Sequence, residues 1–128
     1  MTQKVYQELA VAFDALQNCK ESGNEEWEVK HSVRIERLID DHFPHGSGFD
    51  SGCTFDFERS RRNRLIVNTS YHHMDESGFY TGWTEHDVII TPDLAGEYNL
   101  RITGRNTADD IKGYIAECFS ITLHETVD

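Results

Sequence analysis

Between Leu65 and Ile90 the chain reads LIVNTSYHHMDESGFYTGWTEHDVII. This stretch limits the fold more than any other, because it carries a two-residue period on both sides of a turn signal. Leu65, Val67, Thr69, Tyr71 and His73 fall on one face of a strand. Tyr80, Thr84, His86, Val88 and Ile90 can form the matching face of its neighbour. Asp75 to Gly78 supplies the turn: Asp and Ser satisfy nearby backbone groups and Gly tolerates positive φ. Pairing Met74 with Phe79 sets Tyr71 opposite Gly82, Val67 opposite His86 and Leu65 opposite Val88, and a bulge would overturn that register. Ile66, Met74, Phe79, Trp83 and Ile89 fall on the other face.

The hairpin implies a larger sheet. Cys53, Phe55 and Phe57 alternate with polar residues ahead of it, and Tyr98, Leu100 and Ile102 follow the Pro92-to-Gly96 connection, so four strands are predicted. Helical spacing occupies the ends of the chain. Val5, Leu9, Ala12, Phe13 and Leu16 form a stripe that Cys19 extends, predicting a helix over residues 3 to 21. Gly23 and Asn24 interrupt it. Trp27, Ile35, Leu38, Ile39 and His42 then suggest a second helix ending before Pro44, with a strand or irregular start near Trp27 as the alternative. Ile111, Tyr114, Ile115, Cys118 and Phe119 mark a third helix, with Thr107 and Asp110 in an N-cap arrangement. The tail SITLHETVD is too short and mixed to assign.

The order α-α-β-β-β-β-α predicts an α+β fold: a four-stranded antiparallel β-meander packed against two N-terminal helices and one C-terminal helix. At 128 residues the chain is expected to form a single domain over 1-128. A Gly-rich loop near 44-52, PHGSGFDSG, lies within it, with Phe49 tucked beneath to hold the two ends of the loop together. Its glycines lack the lysine and the strand-to-helix setting of a phosphate loop.

Charge narrows the partners. Twelve Lys and Arg against 23 Asp and Glu give −11 at pH 7. Such a surface repels phosphate backbones and anionic membranes and attracts basic protein surfaces, so direct nucleic-acid and membrane binding are not expected. Arg59, Arg61, Arg62 and Arg64 in ERSRRNRL are the local exception, read as a solvated turn or a site for one anionic group or acidic partner. Cys19, Cys53 and Cys118 form no CxxC and read as reduced, inward-facing thiols. With no secretory apolar segment and no membrane span, a cytoplasmic protein is expected.

The hairpin also concentrates chemistry-bearing side chains. His72, His73, Asp75, Glu76 and His86 contain the ligand types of a divalent metal site, which would make the chain a metal-dependent hydrolase or a metal sensor. Consecutive His72 and His73 point to opposite faces of a regular strand, however, and His73 and His86 lie far apart along the expected hairpin. The competing reading makes them ordinary sheet residues beside a protein-binding tip. His42 and His45 could likewise share an ion with Asp50, or simply be helix-end polarity. No cofactor is expected, no carboxylate pair takes distinct acid and base roles, and an enzyme is the less favoured class.

SYHHMDESGFYTGWTEHDVIITP and LRITGRNTADDIKGYI, within residues 44 to 118, resemble small accessory proteins encoded by phages and other mobile elements. The resemblance implies a compact inhibitor of host defence, acting in the host cytoplasm on a nucleic-acid-handling protein; DNA mimicry is a narrower form of it. From charge and aromatic content, the expected function is an acidic protein-interaction module. It would dock on a basic surface through Tyr71, Asp75, Glu76, Phe79, Tyr80, Trp83 and Glu85. A structural homodimer joined through Ile66, Met74, Phe79, Trp83 and Ile89 is a further alternative, unless Trp27 and the N-terminal helices cover that face.

Overall fold

A computed structural model describes residues 3–46, 48–49, 52–104 and 107–125. Helix α1 spans Gln3–Ser22 and α2 spans Glu25–His42. Strands β1 (Cys53–Phe55), β2 (Leu65–Met74), β3 (Tyr80–Pro92) and β4 (Tyr98–Thr103) follow, and helix α3 (Asp109–Glu125) completes the order. The sheet runs β1-β2-β3-β4 with every neighbour antiparallel. The expected α+β meander with two helices before it and one after is therefore the observed fold. Asp50, Arg105 and Asn106 lie outside the described residues, and with Asp50 the suggested ion site at His42 and His45.

The helix boundaries follow from local chemistry. Gly23 takes a positive φ of 72° at the end of α1, and the Asn24 N–H donates back to the Cys19 carbonyl at 2.9 Å. Asn24 then caps α2 by accepting the Trp27 N–H, and Glu25, Glu26 and Glu28 sit in the first turn, where the helix dipole favours them. These features resolve the start of α2 as helix rather than strand. Pro44, just past the last turn, stops it. At the other end of the chain α3 runs through the unassigned tail as far as Glu125.

One face of the sheet carries the core. Val5, Leu9, Ala12, Phe13 and Leu16 of α1, Ile35 and Ile39 of α2, and Ile115 and Phe119 of α3 are buried together with Phe55, Leu65, Val67, Val88 and Ile90 of the strands. Phe43 meets Phe119 edge to face at 5.6 Å between ring centres, tying the end of α2 to α3. Cys53 and Cys118 pack against this cluster and all three thiols are free. Burial pushes the Cys53 thiol up to about 11, and its Sγ–H donates to the Pro44 carbonyl.

Two expectations are corrected. β1 stops at Phe55, two residues short of the alternating pattern, because the Asp56 carboxylate accepts the N–H groups of Glu58 and Arg59 and turns the chain. The second concerns the β2–β3 register. Leu65 pairs with Ile90, Val67 with Val88 and Tyr71 with Thr84, two residues away from the expected alignment. The cause is a bulge: His73 pairs with Gly82 and Met74 with Tyr80, which leaves Thr81 without a partner. A shift of two preserves the side-chain faces, so Leu65, Val67, Val88 and Ile90 remain on the core face.

Candidate interaction surface on the β2–β3 hairpin

The hairpin turn is built by one carboxylate. Asp75 Oδ1 accepts the N–H groups of Ser77 and Phe79, the Asp75 N–H donates to the Phe79 carbonyl, and Gly78 takes a φ of 83°. The β3–β4 turn repeats this arrangement: Asp93 Oδ1 accepts from Ala95 and Glu97, and Gly96 has a φ of 82°. Asp75 therefore shapes the tip first, and any contact it makes with another molecule comes second.

Beyond the turn, the bulge decides what the tip shows. With Thr81 skipped, Tyr80 moves off the inner face, where the sequence had placed it with His73 and His86. It lies beside His72 instead, ring centres 5.6 Å apart, and His72 is directly opposite Trp83. Met74, Phe79, Tyr80 and Trp83 are 61%, 71%, 52% and 60% exposed, so four large apolar groups stand in solvent around one turn. Glu76 and Glu85 flank them, both exposed. From Leu65 to Leu100 the chain has six acids, Asp75, Glu76, Glu85, Asp87, Asp93 and Glu97, and no Lys or Arg. Tyr71 is separated from this group: it packs inward against Phe49, His73 and Tyr114.

The inner face holds an arrangement that the expected register hid. His73 Nε2 lies 2.8 Å from Thr84 Oγ1, and Thr84 Oγ1 lies 2.7 Å from His86 Nε2. The two imidazoles expected to be far apart are thus joined through one hydroxyl, which has a single proton and can donate to only one of the rings. Burial holds the His86 pKa below the ordinary histidine value, with the nearby His73 and Lys112 acting in the same direction against Asp87. Its Nδ1 is buried with no hydrogen-bond partner among the described residues. Gly104 packs against that edge so closely that a Cβ there would lie 2.6 Å from Nδ1.

At the base of the hairpin three of the run's four arginines bind within the chain. Arg59 grips Asp87 with two hydrogen bonds of 2.8 and 2.9 Å and Asp56 with one of 2.6 Å. Arg59 and then Asn68 hold the Asp87 carboxyl below its usual range. Arg62 reaches across to Asp14, Asn18 and Glu21 of α1, and Arg61 donates to the carbonyls of Glu58 and Ser60. The run is the exposed turn expected from the sequence, and its contacts also clip the 56–64 connection to the sheet and to α1. Ile66 and Ile89, expected on an open face, are directly paired and 2% and 6% exposed. Trp27 does not lie over them; it stays half exposed on α2 beside His31 and Lys30.

Among the described residues no group of three His, Cys, Asp or Glu side chains is placed to hold a metal ion, and no helix is long and apolar enough to cross a membrane. His72 faces outward with Tyr80 while His73 and His86 face Thr84, so the five suggested ligands are divided between two faces and the turn. No family model, curated protein or solved structure matches the chain.

Proposed function

We propose that the protein is a small acidic interaction module that docks the tip of its β2–β3 hairpin on a basic surface of another protein. The exposed cluster of Met74, Phe79, Tyr80 and Trp83, rimmed by Glu76 and Glu85, carries this reading. Large apolar side chains grouped at one turn gain most when a partner removes them from water, and the acidic rim speeds and orients the encounter. A net charge of −11 favours a basic partner over distances of about a Debye length. A nucleic-acid-handling protein offers such a surface, and covering it would inhibit that protein.

The test is capture of the partner at low and high salt by the wild type, Trp83→Ala and Glu76→Ala. Trp83→Ala should weaken binding by about 2 kcal/mol, roughly 30-fold, as central aromatic anchors do. Glu76→Ala should act chiefly on association rate and salt dependence. Salt-insensitive capture that neither substitution alters would refute the reading.

A further inference from the structure

We propose that the groove along α2 binds a basic amphipathic helix of a partner, laid from Glu25 to Asp40. This surface is separate from the hairpin tip, and neither proposal depends on the other.

The fold leaves α2 half covered. Only Ile35 and Ile39 of this helix are buried, so from Glu25 to Arg34 it has no fully buried side chain. Val29 and Val33, about one turn apart, are 63% and 40% exposed. With Glu25, Glu28, Ser32 and Glu36 they line a groove of about 470 Å³. Glu36 also borders a second groove of about 390 Å³, where Ile39 and Asp40 face Cys53, Thr54, Phe55 and Phe57 beside β1. The two grooves meet at Glu36, and from Glu25 to Asp40 the helix advances about 22 Å. Apolar surface runs through both: the two valines in the first, Ile39 and the two phenylalanines in the second.

Charge selects the occupant. Among the described residues every charged side chain lining the two grooves is an acid: Glu25, Glu28, Glu36 and Asp40. None of the four joins an ion pair there. The bases of α2 recur on a different stripe, Lys30, Arg34 and Arg37. Lys30 is held on that side by Glu26 at 3.4 Å, with its ammonium over the Trp27 ring. An exposed apolar strip with unpaired carboxylates at both ends matches a helix that is apolar in its middle turns and basic on either side of them. The shared helical period lets such a partner set apolar residues over Val29 and Val33 and bases against Glu25, Glu28, Glu36 and Asp40. A second copy would instead bring its own four acids to the same strip, in a chain of −11.

The probe is a labelled helical peptide of leucine and lysine with its leucines on one stripe in the middle turns, compared with a scramble of the same composition whose leucines share no face. Fluorescence anisotropy reads the binding. The striped peptide should bind about tenfold or more tightly than the scramble. Val33→Asp, which puts a carboxylate into the apolar strip, should weaken it by about tenfold. Glu36→Lys should weaken it by about fivefold and flatten its salt dependence. Glu76→Lys, at the hairpin turn, should change it by less than about twofold. All three replaced side chains are exposed, so urea midpoints should stay at the wild-type value. No binding, or equal binding of the two peptides, overturns the proposal. Equal losses in Glu36→Lys and Glu76→Lys also overturn it, since they report attraction to net charge alone. A dimer in light scattering that Val33→Asp abolishes would assign the strip to a second copy and overturn the basic occupant. None of these outcomes bears on capture through Trp83, which tests the tip separately.

Discussion

The outer face of the β2–β3 hairpin is two surfaces in one ladder. At its base, Ile66 pairs with Ile89 and both are buried, while Arg59 binds Asp87 and Asp56 beside them. At its tip, Met74, Tyr80 and Trp83 occupy the same face and remain exposed, with acids around them and no Lys or Arg in the chain from Leu65 to Leu100. Strand pairing is continuous from one to the other apart from the bulge at Thr81, so the backbone does not explain the difference. Coverage does: at the base Arg59 reaches from the 56–64 connection across β2 to Asp87 of β3, whereas among the described residues no such contact spans the tip. Apolar residues at the base are buried and serve stability, and those at the tip stay in solvent, where the proposed docking would use them.

Substitution should break that face in two. Ile66→Ala or Ile89→Ala should cost about 2–5 kcal/mol in urea unfolding, as deletion of buried aliphatic groups does. Trp83→Ala should stay within about 0.5 kcal/mol of wild type. Equal losses at both ends would mean that the tip is covered and the comparison false.

The inner face offers the next largest effect. Thr84→Val keeps the side-chain shape but removes the hydroxyl between His73 and His86, leaving ring nitrogens without a partner. Each buried orphan of this kind costs about 1–3 kcal/mol, so urea unfolding should show a loss in that range. The pH dependence has a definite sign. The His86 pKa is lower folded than the ordinary 6.5, so the unfolded chain takes up its proton first. Stability from this group is complete above about pH 6.5 and falls as pH drops from there through the folded value. Unfolding curves that stay flat between neutral pH and pH 5 would show that His86 gains no proton on unfolding.

How much of this was legible follows from which signals are periodic. A two-residue alternation assigns faces whatever the register, so Leu65, Val67, Val88 and Ile90 were placed in the core even though their partners were misaligned. The bulge leaves only Gly82 as a trace, with its φ of 135°, and a glycine among Tyr, Thr and Trp does not announce a skipped residue. Losing the bulge hid two things together: Tyr80 crossing to the outer face and Thr84 reaching both histidines. The burial of Ile66 and Ile89 did have a signal. LIV and VII are continuous apolar runs rather than alternating ones, the pattern of strands covered on both faces at that end. The tip, with its SYHHMDESGFYTGWTEH, keeps to single apolar residues spaced by polar ones and was read as open for the same reason.

The finest separation of tip from scaffold lies in two turns of the same design. Asp75 and Asp93 each accept two backbone N–H groups and each precedes a glycine of positive φ, so Asp75→Ala and Asp93→Ala remove the same bonds. Each should cost about 1 kcal/mol of stability, the usual value of a local side-chain cap. Only the Asp75 turn carries the aromatic cluster, so only Asp75→Ala should also weaken partner capture, by displacing Phe79 and Tyr80 rather than by deleting a contact. Adding Asp75→Asn completes the comparison: the amide oxygen still accepts both N–H groups, so capture should return although the charge is gone. Capture lost equally in Asp75→Asn and Asp75→Ala would assign Asp75 to the acidic rim instead of the turn.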